Sequence, residues 1–266
     1  MKYTETEMRV VLADSRYQDI GNLPSNFYPY PGETKMYIRP FTVKELKLVS
    51  KAAILKDMSH LIRAVDLVCS MDAGNLSIGD FYYVLMWLRI HSMPKTPYVV
   101  EWHCNEAVVV NRQTGERLMN DENFKLPEDE KNWRVERCEA HNSEVIHMTN
   151  VRIITLDETN FDGIPQNDIV EYDFPRARNI QEIQEALNDP ELQLIVGAAQ
   201  WVKAGETLEE KIAILEAQPD LQAFDDAAVL HETIEHGIEE DTTLTCRECL
   251  KQTAHTLTVD ALTFFR

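Results

Sequence analysis

Residues 81–104 read FYYVLMWLRIHSMPKTPYVVEWHC, and the change of rhythm inside them decides the fold class. The first half is apolar nearly all round, the pattern of a helix buried on every side. Pro94 and Pro97 stop it, because proline lacks the backbone donor and crowds the preceding turn. From Tyr98 polar and apolar residues alternate, with β-branched and aromatic side chains, which is the rhythm of a strand. Separate helical and strand stretches in one chain predict an α+β fold.

Towards the N-terminus, Ser77-Ile-Gly-Asp80 is a capping-box pattern that opens this helix. Thr42-Val-Lys-Glu45 opens another across 43–56. A third is expected across 58–71, with Leu61, Ile62, Val65, Val68 and Cys69 at helical spacing. Residues 41–97 therefore form a helical subdomain. Residues 1–40 hold Gly21, Pro24, Pro29, Pro31 and Gly32 and read as an irregular arm with one or two short strands.

Towards the C-terminus, EAVVV, WRVERC and VRIITL continue the strand pattern, and IVEYDF adds one more candidate. Residues 98–178 thus make a β-rich region, with the polar stretch 111–131 inserted at a hairpin tip. A helical region spans 179–237. Asn179 caps IQEIQEALND, a second helix covers 191–203, and Thr207-Leu-Glu-Glu210 is a third capping box. Asp220 caps a run to His236, with Gly237 as its stop. Residues 238–266 close the chain as two strands joined near a cysteine pair, a zinc-ribbon-like hairpin.

The chain has 266 residues and a net charge of -19. That field repels nucleic acid, whose affinity for proteins comes largely from Lys and Arg on phosphates, and it disfavours anionic membranes. No apolar run reaches the length of a membrane span, and MKYTETEMRVV lacks the apolar region of a signal peptide. The expected compartment is a reducing cytoplasm, so the five cysteines are not read as disulfides.

Cys246-Arg-Glu-Cys249 is the most specific chemical signal. A two-residue spacer lets both thiolates of a tight turn point at one tetrahedral ion. Cys138-Glu-Ala-His141 repeats the spacing after a strand, with an imidazole for one thiolate. The two turns facing each other predict a Cys3His zinc site, closed and structural, with no position open to water. Competing ligands are His103, Cys104, His147, His231, His236 and His255, and one site per hairpin is the alternative arrangement. Cys69, on an apolar helix face, reads as core.

The run His231-Glu-Thr-Ile-Glu-His236 invites comparison with the H-E-x-x-H of zinc peptidases, but its spacing of five puts the imidazoles about 140° apart on a helix. A zinc-dependent hydrolase using His231 and His236 stands as the rival reading. Nucleophile-elbow, phosphate-loop and dinucleotide-binding motifs are missing. Phe81, Tyr82, Tyr83 and Trp87 read as helical core. Phe264-Phe265-Arg266 is expected to dock into the domain.

Four runs taken in order carry a resemblance: IRPFTVKELKLVSKA, DFYYVLMWLRIHS, PYVVEWHC and the C-R-E-C ending followed by paired phenylalanines. Together they resemble the baseplate hub assembly proteins of T-even-type myophages over most of 37–266. Arg39, Pro40, Phe41, Thr42 and Glu45 match that family's entry motif, Arg89 and Ser92 its middle, and Cys246, Cys249, Phe264 and Phe265 its end. The resemblance implies a non-enzymatic hub component or assembly chaperone. Its partners would be other baseplate hub proteins, with no nucleic acid, membrane or small-molecule substrate. It would act in the host cytoplasm during assembly, with the virion tail baseplate as its further location. The 111–131 insertion and the Cys138/His141 pair depart from the family pattern.

Overall fold

The computed structural model describes residues 2, 13–115, 117–118, 132–162, 164–165, 170–239 and 241–257. Most of the 111–131 insertion and the Phe264-Phe265-Arg266 ending lie outside them. The described residues mix helices with small antiparallel sheets, an α+β architecture. They fall into two compact units. One gathers the described residues of Met1–Pro94 and Ile153–Ile238, the other those of Lys95–Arg152 and Glu239–Thr258.

In the first unit, β1 (Gln18–Asp19) pairs with β2 (Tyr37–Ile38). Helix α1 (Val43–Leu55) opens on the Thr42 capping box, in which the Glu45 carboxylate accepts the Thr42 N–H at 2.8 Å. Arg39 places a guanidinium 3.0 Å from the same carboxylate. Phe41 N–H donates to Ser92 Oγ at 2.8 Å, tying the start of α1 to the last residue of α3 (Ile78–Ser92). Arg39, Phe41, Thr42, Glu45 and Ser92 thus form one connected group.

Helix α2 (Met58–Asp66) is shorter than its apolar spacing predicts. Beyond it, Arg39 N–H donates to Val68 O and Ser70 N–H to Tyr37 O, and Cys69 bridges to Ile38. Val68 O and Ser70 N–H, which would continue the helix, are used by the 37–39 segment instead. Cys69 is fully buried, as the core reading required, and burial pushes its thiol up to about 12.

Ser77 caps α3, but its box is only half closed. The Asp80 carboxylate turns away from the cap and accepts Ser25 N–H at 2.9 Å and Tyr30 O–H at 2.6 Å. A buried carboxylate satisfied by two donors pins the N-terminal segment onto this helix. One turn of α3 also lies against the chain at 236–237. A Cβ on Gly79 would stand 2.1 Å from His236 O, and one on Gly237 2.8 Å from Gly79 Cα. Gly237, expected as a helix stop, instead sits at φ +123° in β9 (Gly237–Ile238), paired with β8 (Ile153–Ile154).

Helices α4 (Ile180–Leu187), α5 (Gln193–Ala199), α6 (Leu208–Glu216) and α7 (Gln222–Ile234) complete this unit. They share a core that includes Ile183, Val196, Trp201, Val202, Leu208, Leu230 and Ile234. Helix α5 stops before 203 because Trp201 O and Lys203 N–H bond to the extended chain at 171–173. The IVEYDF stretch forms only a bridge there, Tyr172 to Val202. Asn179 precedes α4 without a side-chain cap, whereas Thr207 makes both halves of its box.

The second unit is built of strands. β3 (Val99–His103) pairs with β7 (His141–Val145), and β4 (Ala107–Asn111) lies between β5 (Arg117–Leu118) and β6 (Trp133–Arg137). β10 (Asp241–Thr245) and β11 (Gln252–Thr256) form a separate hairpin. β7, with the polar sequence HNSEV, is a strand that periodicity does not reveal.

Candidate metal centre

Two antiparallel pairings share the same two chain segments and are interrupted at the same level. Between β3 and β4 stands Cys104, and between β6 and β7 stands Cys138. Cys104 N–H donates to Ala140 O and Cys138 N–H to Glu106 O, both at 2.9 Å, so the strands stay joined across the break. After Cys138 the chain turns through Glu139 at φ +53°. The β10–β11 turn has a matching build. Leu250 N–H bonds back to Cys246 O at 2.9 Å, and Leu250 takes φ +59°. A left-handed residue after a cysteine reverses the chain within a few residues and leaves the thiol on the inside of the turn.

These turns bring Cys104, Cys138, Cys246 and Cys249 together. All four are buried, and their sulfurs lie within 4.8 Å of one another. Cys104 and Cys249 stand 3.6 Å apart, Cys138 and Cys246 3.7 Å. Four thiolates at 2.3 Å from a tetrahedral zinc would be separated by about 3.8 Å. The spacing fits a tetrathiolate ion and is far longer than a disulfide. The donors also fit chemically, since soft sulfur favours zinc and four ligands close its coordination sphere.

Asn142, buried on β7, joins the two halves of the cluster. Its amide donates to Cys246 Sγ at 3.5 Å and to Ala140 O at 3.1 Å, and its oxygen accepts Arg247 N–H at 3.0 Å. Burial pushes the Cys104 thiol up to about 12 and raises that of Cys138. Burial also acts to raise Cys246, but the N–H groups of Cys249 and Glu248, with the Asn142 amide, outweigh it and bring the thiol down to about 6. The buried apolar residues clustered with the sulfurs are Val108, Val110 and Ala140.

Of the four residues expected to hold a metal, the structure gathers Cys138, Cys246 and Cys249, and Cys104 takes the fourth place. His141 is exposed, on the face of β7 opposite His103, with their rings 4.8 Å apart. Counting from Cys138, the two-residue spacer leads into β7, where strand alternation turns His141 outward and Asn142 inward. The signal for Cys104 was its position at the end of a strand, but its partner strand was unknown. His147 is exposed, and His255 lies against Trp102 with rings 5.0 Å apart.

His231 is exposed, its ring tilted towards Trp201 with centroids 6.0 Å apart. His236 lies beyond the end of α7. Its Nε2 is 2.7 Å from Ser77 Oγ and its Nδ1 3.0 Å from Ile234 O. The two imidazoles therefore do not share a helix. Among the described residues, the four cysteines are the group placed to bind a metal. No described helix is long and apolar enough to cross a membrane.

The described residues thus form an α+β architecture in which four buried, closely spaced cysteines could hold a metal ion. The chain belongs to the family of T4 bacteriophage base plate proteins, which matches it over residues 27–266. Neither a curated protein nor a solved structure matches it. Membership gives the chain a structural role in the phage baseplate, among other baseplate proteins.

Proposed function

We propose that the protein is a non-enzymatic assembly component of the baseplate hub, as a hub subunit or as a chaperone for one. We further propose that a structural zinc ion bound by Cys104, Cys138, Cys246 and Cys249 holds its strand unit in a zinc-ribbon-like form. The single observation that carries the metal assignment is the convergence of four buried sulfurs within 4.8 Å of one another, two pairs of them at 3.6 and 3.7 Å, close to the edge of a zinc–sulfur tetrahedron. When bound, the ion supplies a cross-link and no reaction.

The protein's own residues do the rest. Two cysteines from facing strands and two from the β10–β11 turn present the sulfurs, and Asn142 orients Cys246 by an N–H bond to sulfur. Such outer contacts fix ligand orientation and tune affinity. Small β structures bury little apolar surface, and metal binding would contribute folding free energy to this unit directly.

The test has two arms. Purified protein is analysed for zinc, and baseplate hub proteins are captured on it before and after chelation. One zinc per chain, and capture that falls on chelation, are expected. Zinc-free protein with full structure and full capture would overturn the reading. Peptidase activity that disappears in His231→Ala would instead establish the hydrolase.

A further inference from the structure

The chain carries 26 basic against 45 acidic side chains, yet one cleft in the first unit has the opposite sign. It encloses about 740 Å³ between the Pro29–Tyr30 segment, residues 173–179 and residues 203–211 at the start of α6. Its charged lining is Arg176, Arg178, Lys203 and Lys211 against Asp173 and Glu206. Two of the cations are compensated. Arg176 pairs with Asp173 at 2.7 Å and Lys203 with Glu171 at 2.8 Å. Among the described residues, Arg178 and Lys211 make no ion pair.

Lys211 is half-buried, and burial holds its ammonium below the usual lysine range; Asp173 and Glu182 pull it back up, and Arg176 and Arg178 add a smaller downward push. A cation partly withdrawn from water without an ion-pair partner costs the free protein stability, and an arriving anion would relieve it. The cleft is also preorganised. Arg176 is fixed by Asn75 O at 2.9 Å and by both oxygens of Asp173, and it lies over the Tyr30 ring at 5.9 Å. Pro29, Tyr30 and Phe174 add apolar wall, which suits a peptide better than a bare ion.

We propose that this cleft docks an acidic segment of another baseplate protein, seating Asp or Glu carboxylates between Arg178 and Lys211. The choice of occupant rests on the reading of the chain as an assembly protein. The cleft lies in the helical unit and uses none of the cysteines.

Titration calorimetry on the full chain tests this with a short peptide bearing two adjacent glutamates among apolar residues, its glutamine twin, and inorganic phosphate. The glutamate peptide is expected to bind saturably, and Arg178→Gln or Lys211→Met to weaken it about tenfold, the loss of one charge-assisted contact. Lys51→Gln, an exposed lysine on α1, leaves binding unchanged. Lys211→Met also raises the Tm of the free protein. No binding, equal binding of the glutamine twin, equal loss in Lys51→Gln, or binding of phosphate without the peptide would overturn the proposal. Because these readouts involve no baseplate partner, their failure leaves the assembly role to be judged by capture of hub proteins alone.

Discussion

Cys104 Sγ and Cys249 Sγ lie 3.6 Å apart although 145 positions separate them in the chain. Neither residue has the other in view from sequence. One ends a strand and the other sits in a turn of a different hairpin, and both are buried. Their meeting determines which side chains would hold a metal, and it separates two ligand sets by experiment.

Cys104→Ser is expected to abolish stoichiometric zinc, whereas His141→Ala retains it. Cobalt substitution checks this directly, because thiolate-to-cobalt absorption scales with the number of sulfur ligands. The wild-type spectrum should be that of four sulfurs, and His141→Ala should leave it unaltered. A three-sulfur spectrum that changes in His141→Ala would restore the histidine as ligand.

Asn142 carries three contacts in a buried position, and its loss removes the acceptor of Arg247 N–H and the amide donor to Cys246 Sγ. Asn142→Ala is expected to cost about 2 kcal/mol in urea unfolding of the metal-loaded protein, because Arg247 N–H loses its acceptor and the buried Cys246 Sγ its donor. Asn142→Asp should cost more, since a carboxylate would face the Cys246 sulfur. Faster zinc loss to a competing chelator in both variants would place the effect at the cluster.

Glu45 predicts an acid-side signature. Burial acts to raise its carboxyl, but the hydrogen bonds from Arg39 and Thr42 prevail and hold it at about 2, below the usual 4.5. A depressed carboxyl contributes stability that is present above the unfolded value and is lost as pH falls through the folded one. The stability gap between wild type and Glu45→Gln should therefore be full near neutrality and shrink from about 4.5 down to about 2. Arg39→Ala, which leaves this buried carboxylate unpaired, should cost about 3 kcal/mol at neutral pH. A gap independent of pH in the acid range would refute this account.

The crossing of Gly79 and Gly237 has no room for a methyl group. Gly79→Ala would drive its Cβ into a backbone carbonyl rather than a flexible side chain, and about 3 kcal/mol of destabilisation is expected. Gly237→Ala adds the strain of a left-handed φ to a similar clash. Thermal unfolding of both variants checks this, with Gly197→Ala, which meets nothing within 4 Å, as the control.

The helices were legible where their causes are local. Thr42 and Thr207 open α1 and α6 because a hydroxyl and a carboxylate three residues on satisfy the free N–H groups of the first turn, whatever lies elsewhere. The Pro94 stop and the alternation after Tyr98 are local in the same sense. The end of α2 and the end of α5 misread as helix because Val68 O, Ser70 N–H, Trp201 O and Lys203 N–H bond to segments remote in sequence. β7 was invisible because its polar alternation gains meaning only beside β3.

For this protein the sequence by itself determined the α+β class, the start of most helices and the metal-competent pair Cys246 and Cys249. These depend on contacts within a few residues. Only the tertiary structure decided that Cys104, and not His141, lies beside Cys138, Cys246 and Cys249, and that four cations converge in an acidic chain. Both follow from strand register and helix packing. In a strand, a shift of one position reverses the face a side chain presents, so the ligand set depends on which segments pair.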